Sequence, residues 1–239
     1  MTLIVGEVRK LLTIRTALWF ATASVALAVL NVVLVSLASG TLDEVGEKQE
    51  ALGGLPLLLV FFGVVAVTAE YRHHTAAPAV LVSGRGRGVV VAARLGATVV
   101  VGLGLAVLTT GAAFAVGVPI LASHHPGPDL TAAQLTSLAG GCVLAGTLSV
   151  LVGAALGGLL RNQIAAVVAG IVVYFVVPSL VGMISASVVD YTPFGSLQVL
   201  TGGVHGAAHS VAASALALAA WAVGLAAFAV LAERHRDLG

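Results

Sequence analysis

Residues 89–122 read VVVAARLGATVVVGLGLAVLTTGAAFAVGVPILA, a run of apolar and small residues in which Arg94 is the single charged side chain. A helix of about 20 such residues is long enough to cross the roughly 30 Å hydrocarbon core of a lipid bilayer. This stretch therefore predicts a transmembrane helix, and several more runs of the same kind flank it on both sides.

The composition of the whole chain agrees with that interpretation. Of 239 residues, 59% are hydrophobic and only 9% are charged, whereas about a quarter of the residues of a soluble domain are charged. The mean hydropathy of +1.10 excludes an ordinary soluble enzyme core. The lone cysteine, Cys142, excludes an intrachain disulfide and a cysteine metal cluster.

We predict an all-α, polytopic membrane protein in which residues 1–239 form a single transmembrane domain. The six predicted transmembrane helices are 17–39, 52–69, 89–122, 135–160, 164–183 and 211–232. Residues 1–16 carry apolar side chains on one helical face and charged ones on the other, which predicts an amphipathic interfacial helix. Residues 40–53 are expected to form a solvated loop because they are rich in charge.

Residues 184–210 are too apolar for a free loop and too often interrupted for a span, since they contain Pro193 and several glycines but only one charge, Asp190. We expect short extracellular interfacial or re-entrant helices there.

A seventh span over 184–204 is the alternative, but it would move Arg234 and Arg236 to the outer side. With six spans, every basic residue except Lys48 lies on one face, which the positive-inside rule makes cytoplasmic together with both termini.

Ionisable groups at membrane depth are costly and usually functional, and the predicted spans carry none far from their ends. Arg94 lies near the start of its helix, where its guanidinium is expected to reach back to the head groups. Adjacent histidines such as His73 and His74 make poor chelating pairs. His205 and His209 are four positions apart, so they could bind a metal ion together if this stretch is helical. The alternative is that they bind no ligand.

Three polar or aromatic residues inside the predicted spans are candidates for a substrate pathway: Asn31, Tyr174 and Trp221. For Asn31 the alternative is a single interhelical hydrogen bond, and for the two aromatic residues it is simple packing. The sequence does not decide between these alternatives, and it supplies no catalytic constellation.

The segment after the second predicted span carries a recognisable pattern. Glu70, Tyr71 and Arg72 are followed by Thr75, and Arg85 and Arg94 lead into the next helix. The N-terminal run Glu7-Val8-Arg9-Lys10-Leu11, then Ile14-Arg15-Thr16 and Trp19, precedes the first span, and Tyr191, Pro193 and Phe194 lie in the broken segment. Together with six spans, these features resemble the ABC-2 type transporter permeases, the membrane subunits of bacterial ABC exporters.

The resemblance implies that residues 70–88 form a cytoplasmic segment that couples the chain to a separate ATPase. The residues expected to make that coupling are Glu70, Tyr71, Arg72, Thr75, Val80, Leu81 and Arg85. It also implies two ATPase subunits that carry ATP and Mg²⁺, and a second permease chain in a homodimer or a related heterodimer. No phosphate-binding motif of the form GxxxxGK[ST] occurs in this sequence, so we expect no ATP hydrolysis, catalytic residue, cofactor or metal in this chain itself.

The expected location is the bacterial inner membrane, with lipid around the chain and no nucleic-acid partner. Because the predicted interior lacks charge, the expected cargo is a hydrophobic or amphipathic drug, lipid or peptide antibiotic. The alternatives are a scaffold or sensor subunit that transports nothing, and an intramembrane enzyme that uses a buried serine, asparagine or histidine.

Overall fold

The computed structural model describes residues 2–13, 15–54, 56–72, 84–125, 127–203 and 210–235, and these residues contain helices and turns but no strand. In chain order the helices are α1 (Thr2–Thr13), α2 (Arg15–Ala38), α3 (Val45–Gly53), α4 (Leu59–Arg72), α5 (Arg87–His124), α6 (Ala132–Leu160), α7 (Gln163–Ile184), α8 (Ala186–Val189), α9 (Pro193–Leu200) and α10 (Val211–His235). The prediction of an all-α chain is confirmed for these ranges.

Six helical segments of the described ranges are long and apolar enough to cross a membrane. They are Leu18–Ala38, Val45–Arg72, Arg87–His124, Ala132–Leu160, Gln163–Ile184 and Val211–Arg234. The prediction of six such segments is therefore confirmed. The interfacial role of residues 1–16 and the re-entrant path of residues 184–210 stay predictions.

The segment between α2 and α4 differs from its prediction as a solvated loop. Val45–Gly53 is helical, and Glu44 and Glu47 form a capping box at its start. Lys48 turns inward from α3, is 1% exposed, and donates to the carbonyl oxygens of His125 (3.4 Å) and Pro128 (3.3 Å). The loop prediction is wrong because a helix can keep its carboxylates outside while it directs one lysine towards backbone acceptors.

A very close approach between α4 and α6 lies at the centre of the bundle. A Cβ atom at Gly153 would lie 1.9 Å from the carbonyl oxygen of Val60, and one at Gly63 would lie 2.1 Å from that of Val150. Only glycine permits such backbone contact, which is the usual function of small residues between membrane helices. Helix α6 also packs along α5 and α10, so it forms the centre of the bundle.

The helices α6 and α7 are joined by a tight turn. Arg161 adopts a left-handed conformation with φ of 52°, and the side chain of Asn162 accepts hydrogen bonds from the backbone N–H groups of Ile164 and Ala165. This N-cap starts α7 immediately after the end of α6. Farther along α7, residues Val172–Val176 form a π-helical turn.

The ends of the helices gather into two groups. At one end, called the basic end here, Lys10 and Arg94 contact Glu70, Arg161 contacts Glu233, and the side chain of Arg234 lies against Gly88. At the opposite end, His125 contacts Leu42, and Lys48 contacts Pro128. Helix α1 and the C-terminal part of α10 therefore lie at the same end of the bundle.

Replacing Gly153 with alanine should destabilise the fold, because the added methyl group overlaps the Val60 carbonyl and forces α4 away from α6. We expect a loss of about 1–3 kcal/mol, typical of overpacking. The measurement is the unfolding transition of the purified chain in detergent.

The matched control is Gly140→Ala on the same helix, where a Cβ would meet nothing within 4 Å. This change should be neutral or slightly stabilising, because alanine favours a helix by about 1 kcal/mol over glycine. Equal stability of the two variants would contradict the close contact between α4 and α6.

Candidate functional site

Six charged side chains and one tyrosine lie together at the basic end. We call this group the basic-end cluster, and it consists of Glu7, Lys10, Glu70, Tyr71, Arg94, Arg161 and Glu233. Its cations and carboxylates are equal in number, and they come from α1, α4, α5, α10 and the turn between α6 and α7.

Glu70 lies in the last turn of α4 and is only 7% exposed. Its carboxylate contacts the ammonium group of Lys10 on α1 and the guanidinium of Arg94 on α5. Lys10 also lies 2.6 Å from the carboxylate of Glu7 on its own helix. A carboxylate buried this deeply needs such cations, because an unpaired buried charge is very costly.

The neighbouring residue Tyr71 extends the cluster towards α6 and α10. Its ring lies 5.8 Å from the guanidinium carbon of Arg94 and 5.5 Å from that of Arg161, distances at which cation–π attraction operates. The Nη2 atom of Arg161 donates to a carboxylate oxygen of Glu233 at 2.6 Å. Glu70 and Tyr71, two consecutive residues at the end of α4, thus link that helix to α1, to α5 and, through Arg161, to the turn after α6 and to α10.

Arg94 was expected to extend to the lipid head groups, and that expectation is wrong. The residue is 3% exposed, and its guanidinium faces Glu70 rather than the surface. The missed signal is the pairing of opposite charges at the end of one predicted span and the start of the next. Such residues lie at the same level of a bundle and can meet even though 24 positions separate them in the sequence.

The predicted coupling residues fall into three groups. Glu70 and Tyr71 belong to the basic-end cluster, while Arg72 and Arg85 are exposed beside it. Thr75, Val80 and Leu81 lie outside the described residues. The structure describes the predicted coupling segment at residues 70–72, which lie at the basic end, and at residues 84–88, which lead into α5.

An open cleft adjoins the cluster. We call it the basic-end cleft, and it has a volume of about 500 Å³ and is lined by Thr68, Tyr71, Arg72, Arg161, Asn162, Gln163 and Ile164. Two arginines face it, and none of these lining residues is acidic. The cleft can therefore accept an anionic group.

A second polar node lies at the opposite end. The Nδ1 atom of His125 accepts from the backbone N–H of Leu42 at 3.2 Å, so its Nε2 atom carries the proton and donates to the carbonyl of Ser36 at 2.6 Å. Lys48 binds the carbonyl oxygen of the same histidine. His125 is 9% exposed and joins α2, α3 and the loop after α5.

The three candidate pathway residues lie in different surroundings. Asn31 lines a cleft of about 440 Å³ at the opposite end, together with Glu47, Glu50 and Gln198. Tyr174 is 1% exposed, and its hydroxyl donates to Ser149 Oγ at 3.2 Å. Trp221 is 41% exposed and donates to the carbonyl of Tyr191 at 3.0 Å. Neither aromatic residue lines the cleft that contains Asn31.

His205 and His209 lie outside the described residues. Within the described ranges, no three histidine, cysteine or acidic side chains are grouped in a way that could hold a metal ion.

Comparison of the chain with protein-family models and with curated proteins found no match.

Replacing Glu70 with glutamine should destabilise the fold because it leaves Arg94 buried without its counter-charge. Breaking a buried pair by removing one partner typically costs about 3–5 kcal/mol. Thermal unfolding in detergent measures the loss. The matched control, Asp129→Asn, makes the same chemical change at an exposed loop residue and should leave the transition nearly unchanged.

A double variant, Glu70→Gln with Arg94→Gln, tests the pairing directly. We expect it to be less destabilised than the sum of the two single variants, because it removes both charges of one pair. Strict additivity would show that the two residues do not interact in the folded protein.

Proposed function

We propose that this chain is the membrane-spanning subunit of an ATP-driven ABC exporter of the ABC-2 type, and that ATP is hydrolysed on separate subunits. The six apolar helical segments support a membrane protein, and the sequence pattern around Glu70 supports this family. The observation that carries the proposal is the basic-end cluster, because it connects the residues just before position 73 to four other parts of the bundle.

In this proposal, residues 75–83 of the coupling segment dock on the ATPase and transmit its movement. Any displacement of this segment pulls on Arg72 and therefore on α4. The ion pairs of Glu70 pass the force to α1 and α5, and the contacts of Tyr71 with Arg161 pass it to α6, α7 and α10. Rigid-body movement of packed helices is a common means of switching between two states.

The complete transporter then contains two permease chains and two ATPase subunits, which bind ATP and Mg²⁺. The basic end faces the cytoplasm, with both termini of this chain, in a bacterial inner membrane. Its cargo is hydrophobic or amphipathic, such as a drug, a lipid or a peptide antibiotic. The exposed apolar residues of α2, α7 and α10 are compatible with contact to lipid or to the second permease chain.

The first test is docking of the ATPase. The chain is co-expressed with each ABC ATPase of its own organism in turn and isolated through an affinity tag, and the bound ATPase is quantified. Thr75→Asp or Leu81→Asp should reduce the bound ATPase about tenfold, because each change places a charge in the proposed interface. The control Thr41→Asp makes the same change at an exposed residue of the opposite end and should retain the ATPase.

Cargo export measured with the same complex separates a transporter from a scaffold or sensor. We expect export that requires ATP and fails in the Leu81→Asp variant. A complex that binds the ATPase but moves no cargo would favour the scaffold. Transport by the isolated chain, without any ATPase, would refute the proposal.

The proposed orientation predicts which residues are accessible from outside the cell. Cys142 is the single cysteine of the sequence and is buried, and replacing it with alanine gives a background without a native thiol. In that background, Asp129→Cys should react with a membrane-impermeant maleimide in intact spheroplasts. Arg85→Cys should react only after the membrane is permeabilised, and the reverse pattern would overturn the orientation.

A further inference from the structure

We propose that the basic-end cleft binds the head group of an anionic phospholipid. This inference does not depend on the proposed transport function, because it concerns only the chain and its surrounding membrane. It rests on the charge of the cleft, its level along the bundle, and the apolar surface that continues from it.

The charge of the cleft favours an anion. Arg72 is exposed at its rim, and the side chain of Arg161 is 33% exposed although it pairs with Glu233. Two arginines against one neighbouring carboxylate leave the site with a net positive charge. The planar guanidinium group binds phosphate oxygens through paired hydrogen bonds, which makes arginine well suited to a phosphate ligand.

Neutral donors complement the two arginines. The carbonyl oxygen of the Asn162 side chain is committed to the start of α7, where it accepts from two backbone N–H groups. Its amide –NH₂ group is consequently the part that can meet a ligand, and it is a donor. Gln163 contributes a second side-chain amide to the lining. The cleft thus combines charge with directional donors, as recognition of a phosphate oxygen requires.

The cleft lies at the level where head groups are expected. Arg72 is the last residue of the apolar segment Val45–Arg72, and Gln163 is the first residue of the segment Gln163–Ile184. The boundary of two membrane-spanning segments is the depth of the bilayer interface. Basic pockets between membrane helices at this depth are a known setting for anionic head groups.

An apolar surface runs from the cleft along α7. Ile164 is 78% exposed at the rim, and exposed apolar residues continue along α7, among them Val168, Ile171 and Phe175. Their spacing of four, three and four positions places them on one face of the helix. This face can contact the acyl chains of a lipid whose head group occupies the cleft, so a phospholipid fits the surroundings better than a free anion.

The test measures lipid binding to the full-length chain, purified in a neutral detergent without any ATPase. Native mass spectrometry during titration gives the affinity for phosphatidylglycerol and for phosphatidylcholine with the same acyl chains. We expect phosphatidylglycerol to bind about tenfold more tightly. Arg72→Gln and Arg161→Gln should each weaken its binding about fivefold, and 0.5 M salt should weaken it as well.

The matched control is Arg9→Gln, which removes an exposed arginine from α1 at the same end but outside the cleft. It should leave the preference for phosphatidylglycerol unchanged. Arg72→Gln keeps the pair between Arg161 and Glu233 intact, so it remains decisive if Arg161→Gln does not fold. Arg161→Lys should retain part of the affinity, since it keeps the charge and loses the paired geometry.

Four results would overturn the inference. Equal affinity for the two lipids would show that the head-group charge is not recognised, and equal losses in Arg72→Gln and Arg9→Gln would show unspecific attraction to a basic surface. If inorganic phosphate at the concentration of the lipid displaced phosphatidylglycerol, the site would bind a free anion rather than a lipid. Loss of ATPase docking in Arg72→Gln with unchanged lipid preference would assign Arg72 to the partner protein instead.

Discussion

The fold depends on the pairing of a buried carboxylate at the end of α4 with cations from two other helices. Glu70 is 7% exposed, and its carboxylate forms ion pairs with Lys10 and Arg94, which come from segments far away in the sequence. Because an uncompensated charge in this position would cost more than most single interactions provide, α1 and α5 must remain close to α4. The ion pairs therefore specify an arrangement of helices that lipid and apolar contacts alone would leave open, since hydrophobic surfaces are not selective inside a membrane.

The second constraint is the contact between the backbones of α4 and α6. Gly63 and Gly153 allow the two helices to touch near the start of α4, while Glu70 and Tyr71 hold the end of α4 through side chains. Helix α4 is thus held at two separate levels. This double attachment explains how a force applied at the end of α4 would move α6 with it, instead of bending α4 alone.

Hydropathy was sufficient to predict the six apolar segments, because the length and composition of a span depend on local sequence. The burial of Lys48, Arg94 and His125 was not predictable in this way. Each of these side chains is accommodated by acceptors from distant segments: the Pro128 carbonyl for Lys48, the Glu70 carboxylate for Arg94 and the Ser36 carbonyl for His125. A sequence shows the cost of burying a polar group, whereas only the tertiary structure shows the partner that offsets it. The candidate site was therefore located from sequence at Glu70 and Tyr71, but its partners were not.

Charged residues are scarce in this chain, at 9% of the sequence, and the scarcity makes each of them informative. The apolar residues determine where each span lies in the sequence, but they do not determine which spans are neighbours. The few ionisable residues do determine neighbours, since Lys10, Glu70 and Arg94 connect three helices through one carboxylate. In such a protein the low charge content does not mean that charges are confined to solvated loops. The buried charges at the basic end connect helices that are distant in the sequence, and they carry the specificity of helix packing there.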